Sequence, residues 1–212
     1  MPPRFIADFT GFPTLPSMSC RFRTLVVLLG LLPCAVGAEE RASWTFDPQL
    51  LLARSETVIE RAPDASLDQL FQSVAEAARS PQELSVMCAL FDPQARRDLV
   101  AINRTALRFG DASQRRFQQA TDALLQTAQA ARPQPYDPLL AQRALRQAAV
   151  TAAMLYDGFV AGLNGQGSDA ASQQARCRAL RQLLDTVSMR PLNERAMITR
   201  LLMREGLQRI ER

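Results

Sequence analysis

Few side chains in this sequence can carry chemistry at neutral pH. The 212-residue chain has no histidine, and all 25 of its basic residues are arginine. Without imidazole, the commonest general base and metal ligand is missing, and Ser-His-Asp or Cys-His catalysis is excluded. Without lysine, Schiff-base chemistry and a P-loop phosphate site are excluded as well. What remains is four cysteines, the carboxylates, two tyrosines and the guanidinium groups.

Cys20 and Cys34 fall in an N-terminal export-type segment, which leaves Cys88 and Cys177 for the folded part. Both sit at helical spacing within apolar stripes, Leu84-Met87-Cys88-Phe91 and Cys177-Leu180-Leu184-Val187. Two cysteines in an exported chain read as one disulfide, and two separate buried thiols are the alternative. A bridge over so long a loop restrains the unfolded chain by about 4–5 kcal/mol in the loop-entropy treatment, an upper figure.

Asp157 is the acid with the most unusual setting. From Gln147 to Leu163 it is the only charge, and apolar residues point in nearly every direction. That pattern predicts a core helix over 138–163 and a buried Asp157, paired with an arginine or serving as an acid beside Tyr156. Ala149, Ala153, Gly158 and Gly162 would allow close helix approach. Arg97, Arg104 and Arg108 fall within ~40° of one another on a helical wheel. Together they form a candidate binding face for carboxylates or phosphates. Arg200, Arg204 and Arg209 make a second run on the last helix. No metal site is expected, because there is no histidine, no close cysteine pair and no calcium-loop spacing. No cofactor is expected either. The stretch Gly162-Leu163-Asn164-Gly165-Gln166-Gly167 follows a helix and reads as a cap and loop rather than a phosphate cradle. A two-carboxylate glycosidase stays formally open, but no acid pair has a sugar-stacking aromatic setting.

The elements that would position these groups are helices. Before them, Arg21 and Arg23 precede the apolar run Leu25–Leu32, followed by Ala35-Val36-Gly37-Ala38 and Glu39-Glu40. These are the three parts of a secretory signal peptide over 18–38, cut before Glu39. The apolar run is too short for the ~20 residues of a membrane span. Residues 1–17 read as a start-site overcall, and Pro33 before Cys34 is a poor context for lipidation. Residues 39–212 then form a single domain, periplasmic or secreted, with no transmembrane anchor after cleavage.

Helix starts recur at Asp47-Pro48, Asp92-Pro93 and Asp137-Pro138, where an N-cap acceptor precedes a proline. Ser66 and Ser80 head apparent capping boxes. Apolar residues recur with a period near 3.6 through 112–131, 170–189 and 192–211, and only Ser43–Phe46 resembles a strand. The expected class is an all-α, single-domain bundle of about six to eight helices with one disulfide. The equal spacing of the Asp-Pro pairs also suits a helix-pair repeat, although the residues after them do not match.

Charge is uneven. Residues 39–92 hold ten acids and four arginines, whereas 93–212 hold ten acids and 18 arginines. With aromatics at 6%, nucleic acid is not an expected partner. The leading expectation is a non-enzymatic interaction module of the envelope, such as an inhibitor, immunity-type protein or adaptor, with a partner of acidic surface. Two alternatives are a carboxylate-dependent enzyme with Asp157 as acid/base and a carrier of an apolar ligand lined by Met154, Leu155 and Phe159.

Overall fold

The computed structural model describes residues 48–90, 92, 95 and 98–210. The leader, the cleavage site, Trp44 and Arg97 lie outside the described residues. Among those described, the regular elements are all helices: α1 Pro48–Ala53, α2 Ser55–Arg61, α3 Asp64–Ala77, α4 Pro81–Ala89, α5 Leu99–Ala106, α6 Asp111–Ala130, α7 Pro138–Leu155, α8 Phe159–Asn164, α9 Ala170–Ser188 and α10 Leu192–Gln208. The all-α class is as expected. Seven of these segments have eight or more residues, and the extra short ones come from breaks in longer sequence patterns.

Capping explains most starts. Ser80 accepts from the Glu83 N–H ahead of Pro81, and Asp137 Oδ1 accepts from the N–H groups of Leu139 and Leu140 ahead of Pro138. Asp169 caps α9 through the Ser172 N–H and hydroxyl, and these bonds hold its carboxyl below the usual range. Two expected starts move. The helix predicted after Asp92-Pro93 begins instead at Leu99, where Asp98 accepts from the Ala101 N–H. That shift breaks the 45-residue repeat. The Ser66 box is not used, because α3 starts two residues earlier at Asp64 and the Ser66 hydroxyl bonds Thr127 on α6. Glu83 does not fold back on its own helix either. It accepts from the Gly110 N–H and the Ser113 hydroxyl, so α4 caps α6 from outside.

Helices α3 and α10 lie side by side at the centre, with α6 beside α3, α7 and α9 beside each other, and α8 folded onto α9. One core cluster joins α2, α3, α6 and α10 through Val58, Leu67, Leu124 and Ala196. A second joins α3, α7, α9 and α10 through Phe71, Ala148, Val187 and Ile198. The seams are rich in alanine, including Ala62, Ala77, Ala128, Ala141, Ala148 and Ala152, all fully buried.

The expected core helix over 138–163 is not continuous. It ends at Leu155, turns through Tyr156, Asp157 and Gly158, and resumes as α8. Gly158 has φ +77°, a left-handed conformation that glycine adopts without strain. Only one stripe of α7 is buried, Ala141, Ala144, Ala148 and Ala152. The opposite side exposes Leu139, Val150 and Met154. Gly162 does serve close approach as expected, since it is buried and a Cβ there would run into the Ala175 carbonyl and Ala179.

Gly162→Ala should therefore lower stability by about 1–3 kcal/mol through overpacking. Gly206→Ala, in α10 with open space around it, should raise stability by up to about 1 kcal/mol. Urea midpoints of the two variants check both signs, and equal midpoints would contradict the α8–α9 contact.

Candidate functional site

The cysteines come together as expected. Cys88 on α4 and Cys177 on α9 are disulfide-bonded across 89 residues, with Cα atoms 5.4 Å apart. Beside the bond an open hollow of about 810 Å³ runs between the two helices. Its α4 wall is Pro81, Leu84, Ser85, Cys88 and Ala89, and its α9 wall is Ala170, Gln173, Gln174, Cys177, Arg178 and Arg181. Both sets follow helical i, i+3, i+4, i+7 spacing, so the hollow is a straight groove between parallel stripes. The floor is apolar, from Leu84 and the disulfide. The rim is amide and basic, from Gln173, Gln174, Arg178 and Arg181.

One end of the groove is closed by Arg176. Its guanidinium donates to Asp92 Oδ2 at 3.1 Å and to the carbonyls of Gly165 and Gly167. That ties the α8–α9 loop to the end of α4, and it consumes the positive charge of Arg176 inside the fold. Arg178 and Arg181 remain as the rim's cations; Arg181 pairs with Asp185, at 3.9 Å and with both side chains about half exposed.

Of the expected binding trio, neither described member lines the groove. Arg97 is outside the described residues, and Arg104 and Arg108 are exposed on α5 and the turn after it, away from the groove lining. The expected buried acid is corrected: Asp157 is exposed in the turn between α7 and α8, because the helix breaks where burial was inferred. An apolar cavity lined by Met154, Leu155 and Phe159 does not form. Met154 is 82% exposed, Leu155 also faces out, and Phe159 is packed against Ala152 and Ala179. No group of acids or cysteines among the described residues is arranged to hold a metal ion.

The expected surface run of Arg200, Arg204 and Arg209 is also corrected. Arg200 is 2% exposed. Its guanidinium donates to the carbonyls of Ile59 and Ala62 at the end of α2, and to Asp64 Oδ1 at 3.4 Å. A cation there meets the negative end of the α2 dipole. Burial pulls the Arg200 guanidinium below its usual pKa, against the pull of Asp64. The Tyr136 ring centroid lies 5.8 Å from Arg200 Cζ, and burial raises the Tyr136 phenol above its usual value. One turn earlier, Arg195 forks onto both oxygens of Asp68 on α3, at 2.6 and 2.9 Å. That hydrogen bonding raises the Arg195 pKa. No sequence pattern separates these two arginines from their exposed neighbours. Only the phase of α10, with Ala196, Ile198 and Thr199 inward, marks them.

A second hollow of about 810 Å³ lies between α1–α2 and the end of α10, where Glu56, Glu60 and Arg204 mix with Leu52, Ile59 and Leu207. Its polar lining and opposed charges give it no single ligand chemistry.

Arg200→Met should destabilise the fold by about 3 kcal/mol or more, since it strands buried carbonyls at the end of α2. Reduction of the disulfide, or Cys88→Ser with Cys177→Ser, should cost up to about 4–5 kcal/mol. Denaturant titrations check both, and an Arg200→Met chain as stable as the parent would remove the clamp's role. Compared with known protein families, curated proteins and solved structures, the chain matches none of them.

Proposed function

We propose that this protein is an exported, non-enzymatic interaction module, and that the α4–α9 groove receives an acidic amphipathic helix of an envelope or secreted partner. The observation that carries the reading is the groove's shape and chemistry: an apolar floor between two helical stripes, with arginines on its rim. A half-open trough of this kind leaves one side of its occupant in water. A small molecule needs most of its surface enclosed. An amphipathic helix needs only its apolar face covered, and its acids would meet Arg178 and Arg181.

Export supports the same reading. A disulfide persists in oxidising compartments, and no helix among the described residues is long and apolar enough to cross a membrane. An inhibitor, an immunity-type protein or an adaptor all fit this description. The exposed position of Asp157 removes the buried setting on which the enzymatic alternative relied.

Two measurements test the proposal. N-terminal sequencing of protein recovered from the producing cell should begin at Glu39; a chain that still starts upstream of the leader contradicts export. A photo-crosslinking side chain at Ser85 or Ala89, both exposed on the groove wall, should capture one discrete partner segment that is acidic and amphipathic. Arg178→Glu with Arg181→Glu should reduce that adduct at least tenfold. An adduct unchanged by the charge reversal, or none at all, overturns the groove assignment.

A further inference from the structure

The Cys88–Cys177 bond lies on the floor of an open hollow, where both cysteines are lining residues. A thiol in solution therefore reaches it without crossing the core. The two sulfurs differ in setting. Cys88 is buried in an apolar cluster with Ala77, Ala78, Leu84 and Met87, whereas Cys177 is only partly buried at its edge. Charge around the hollow favours an incoming thiolate. Arg176, Arg178 and Arg181 line it against a single acid, Asp92, among the described residues. Asp92 is spent on Arg176, Asp185 offsets part of Arg181, and Glu83 is turned to the Gly110 N–H and the Ser113 hydroxyl. The rim is left net positive. Neighbouring cations favour thiolates, and accessible disulfides are the labile ones.

Opening the bond would release α4 rather than the whole fold. The cluster joining α2, α3, α6 and α10 and the cluster joining α3, α7, α9 and α10 contain no α4 residue. Helix α4 has nine residues, too few to persist without packing. It is held by the third cluster, by the Glu83 bonds to the start of α6, and by the disulfide. We infer that Cys88–Cys177 is a thiol–disulfide exchange site, entered from the groove at Cys177 by a dithiol reductant, and that exchange unlatches α4. The thiolate of the dithiol attacks Cys177 Sγ, the S–S bond breaks, and Cys88 leaves as a thiolate that takes up a proton. The second thiol then attacks the reagent's own sulfur in the mixed disulfide, which closes the reagent's disulfide and releases Cys177. Two electrons pass from the dithiol to the cysteine pair. The site goes beyond the docking reading and does not need the helical occupant.

The test uses the full oxidised chain with dithiothreitol and no denaturant, so it requires no partner. Reduction, followed by alkylation and mass spectrometry, should proceed within tenfold of the rate for the same chain unfolded in guanidinium chloride, and low urea should not accelerate it. A slower native rate overturns the exchange site; one that also climbs with urea shows that reduction waits for unfolding. Glutathione, an anionic monothiol, should leave its mixed disulfide on Cys177, and an adduct on Cys88 overturns the choice of attacked sulfur. Arg178→Glu with Arg181→Glu should slow glutathione attack at least tenfold; an unchanged rate removes the rim's part in it. In the reduced wild-type chain, amide hydrogen exchange along α4 should rise at least tenfold while α3 and α10 keep their protection. Unchanged protection of α4, or loss from all helices together, overturns the latch.

Discussion

The guanidinium of Arg200 cannot be left without acceptors in a dry interior, and that requirement organises the centre of the molecule. A guanidinium has five N–H donors in a fixed planar fork. In this protein the acceptors are the last carbonyls of α2 and the first acid of α3. The carbonyl groups at a helix end lack partners of their own, so cation and helix end satisfy each other. The corner Ala62–Pro63–Asp64 is thereby held against α10. One turn away, the fork of Arg195 onto Asp68 fixes the axial register of α10 on α3. Its second amine donates to the Arg190 carbonyl, which also anchors the α9–α10 turn. Apolar burial drives α3 and α10 together without fixing register; the two arginines supply it.

Packing around that centre follows from side-chain size. Aromatics are scarce, and alanine fills the seams, which lets helices approach closely. A seam of Ala141, Ala144, Ala148 and Ala152 occupies only one narrow stripe of α7. Of the bulkier side chains of that helix, Leu145 packs at the edge of the second cluster, whereas Leu139, Val150 and Met154 lie outside the contact. The same arrangement that permits the α7 contacts with α9 and α10 therefore leaves Leu139, Val150 and Met154 in water. That exposure is a consequence of seating α7 largely through alanine.

Legibility in the sequence varied with how local the physics was. Ser80-Pro81 and Asp137-Pro138 act within one turn, and each is a cap as read. The Cys88–Cys177 pair was legible because two apolar stripes, with the N-terminal segment read as an export signal, left few other roles for the thiols. Asp157 was not. Apolar residues in every direction describe a buried helix, but equally a helix with alanine inside and larger residues outside, and composition alone does not separate the two. A single left-handed glycine, Gly158, then decides where the helix ends. Asp92-Pro93 has the same two residue types as Asp137-Pro138, yet α5 starts at Asp98, so the motif allows a start without compelling one. Arg200 and Arg204 are indistinguishable as residue types, and their fates differ by one turn of α10. The groove was not read from the sequence at all. It needs two helices brought side by side, although each wall separately shows the helical spacing.

The disulfide completes the bracing of the groove. It closes a loop containing α5, α6, α7 and α8, and it lies on the groove floor between α4 and α9. Helix α4 has its other tie through Glu83 to the start of α6, and α9 receives α8 along the seam at Gly162. The groove walls are therefore held from behind on both sides and by a covalent bond between them. A trough fixed in width loses little entropy when a helix enters it, which is the advantage of a preorganised site.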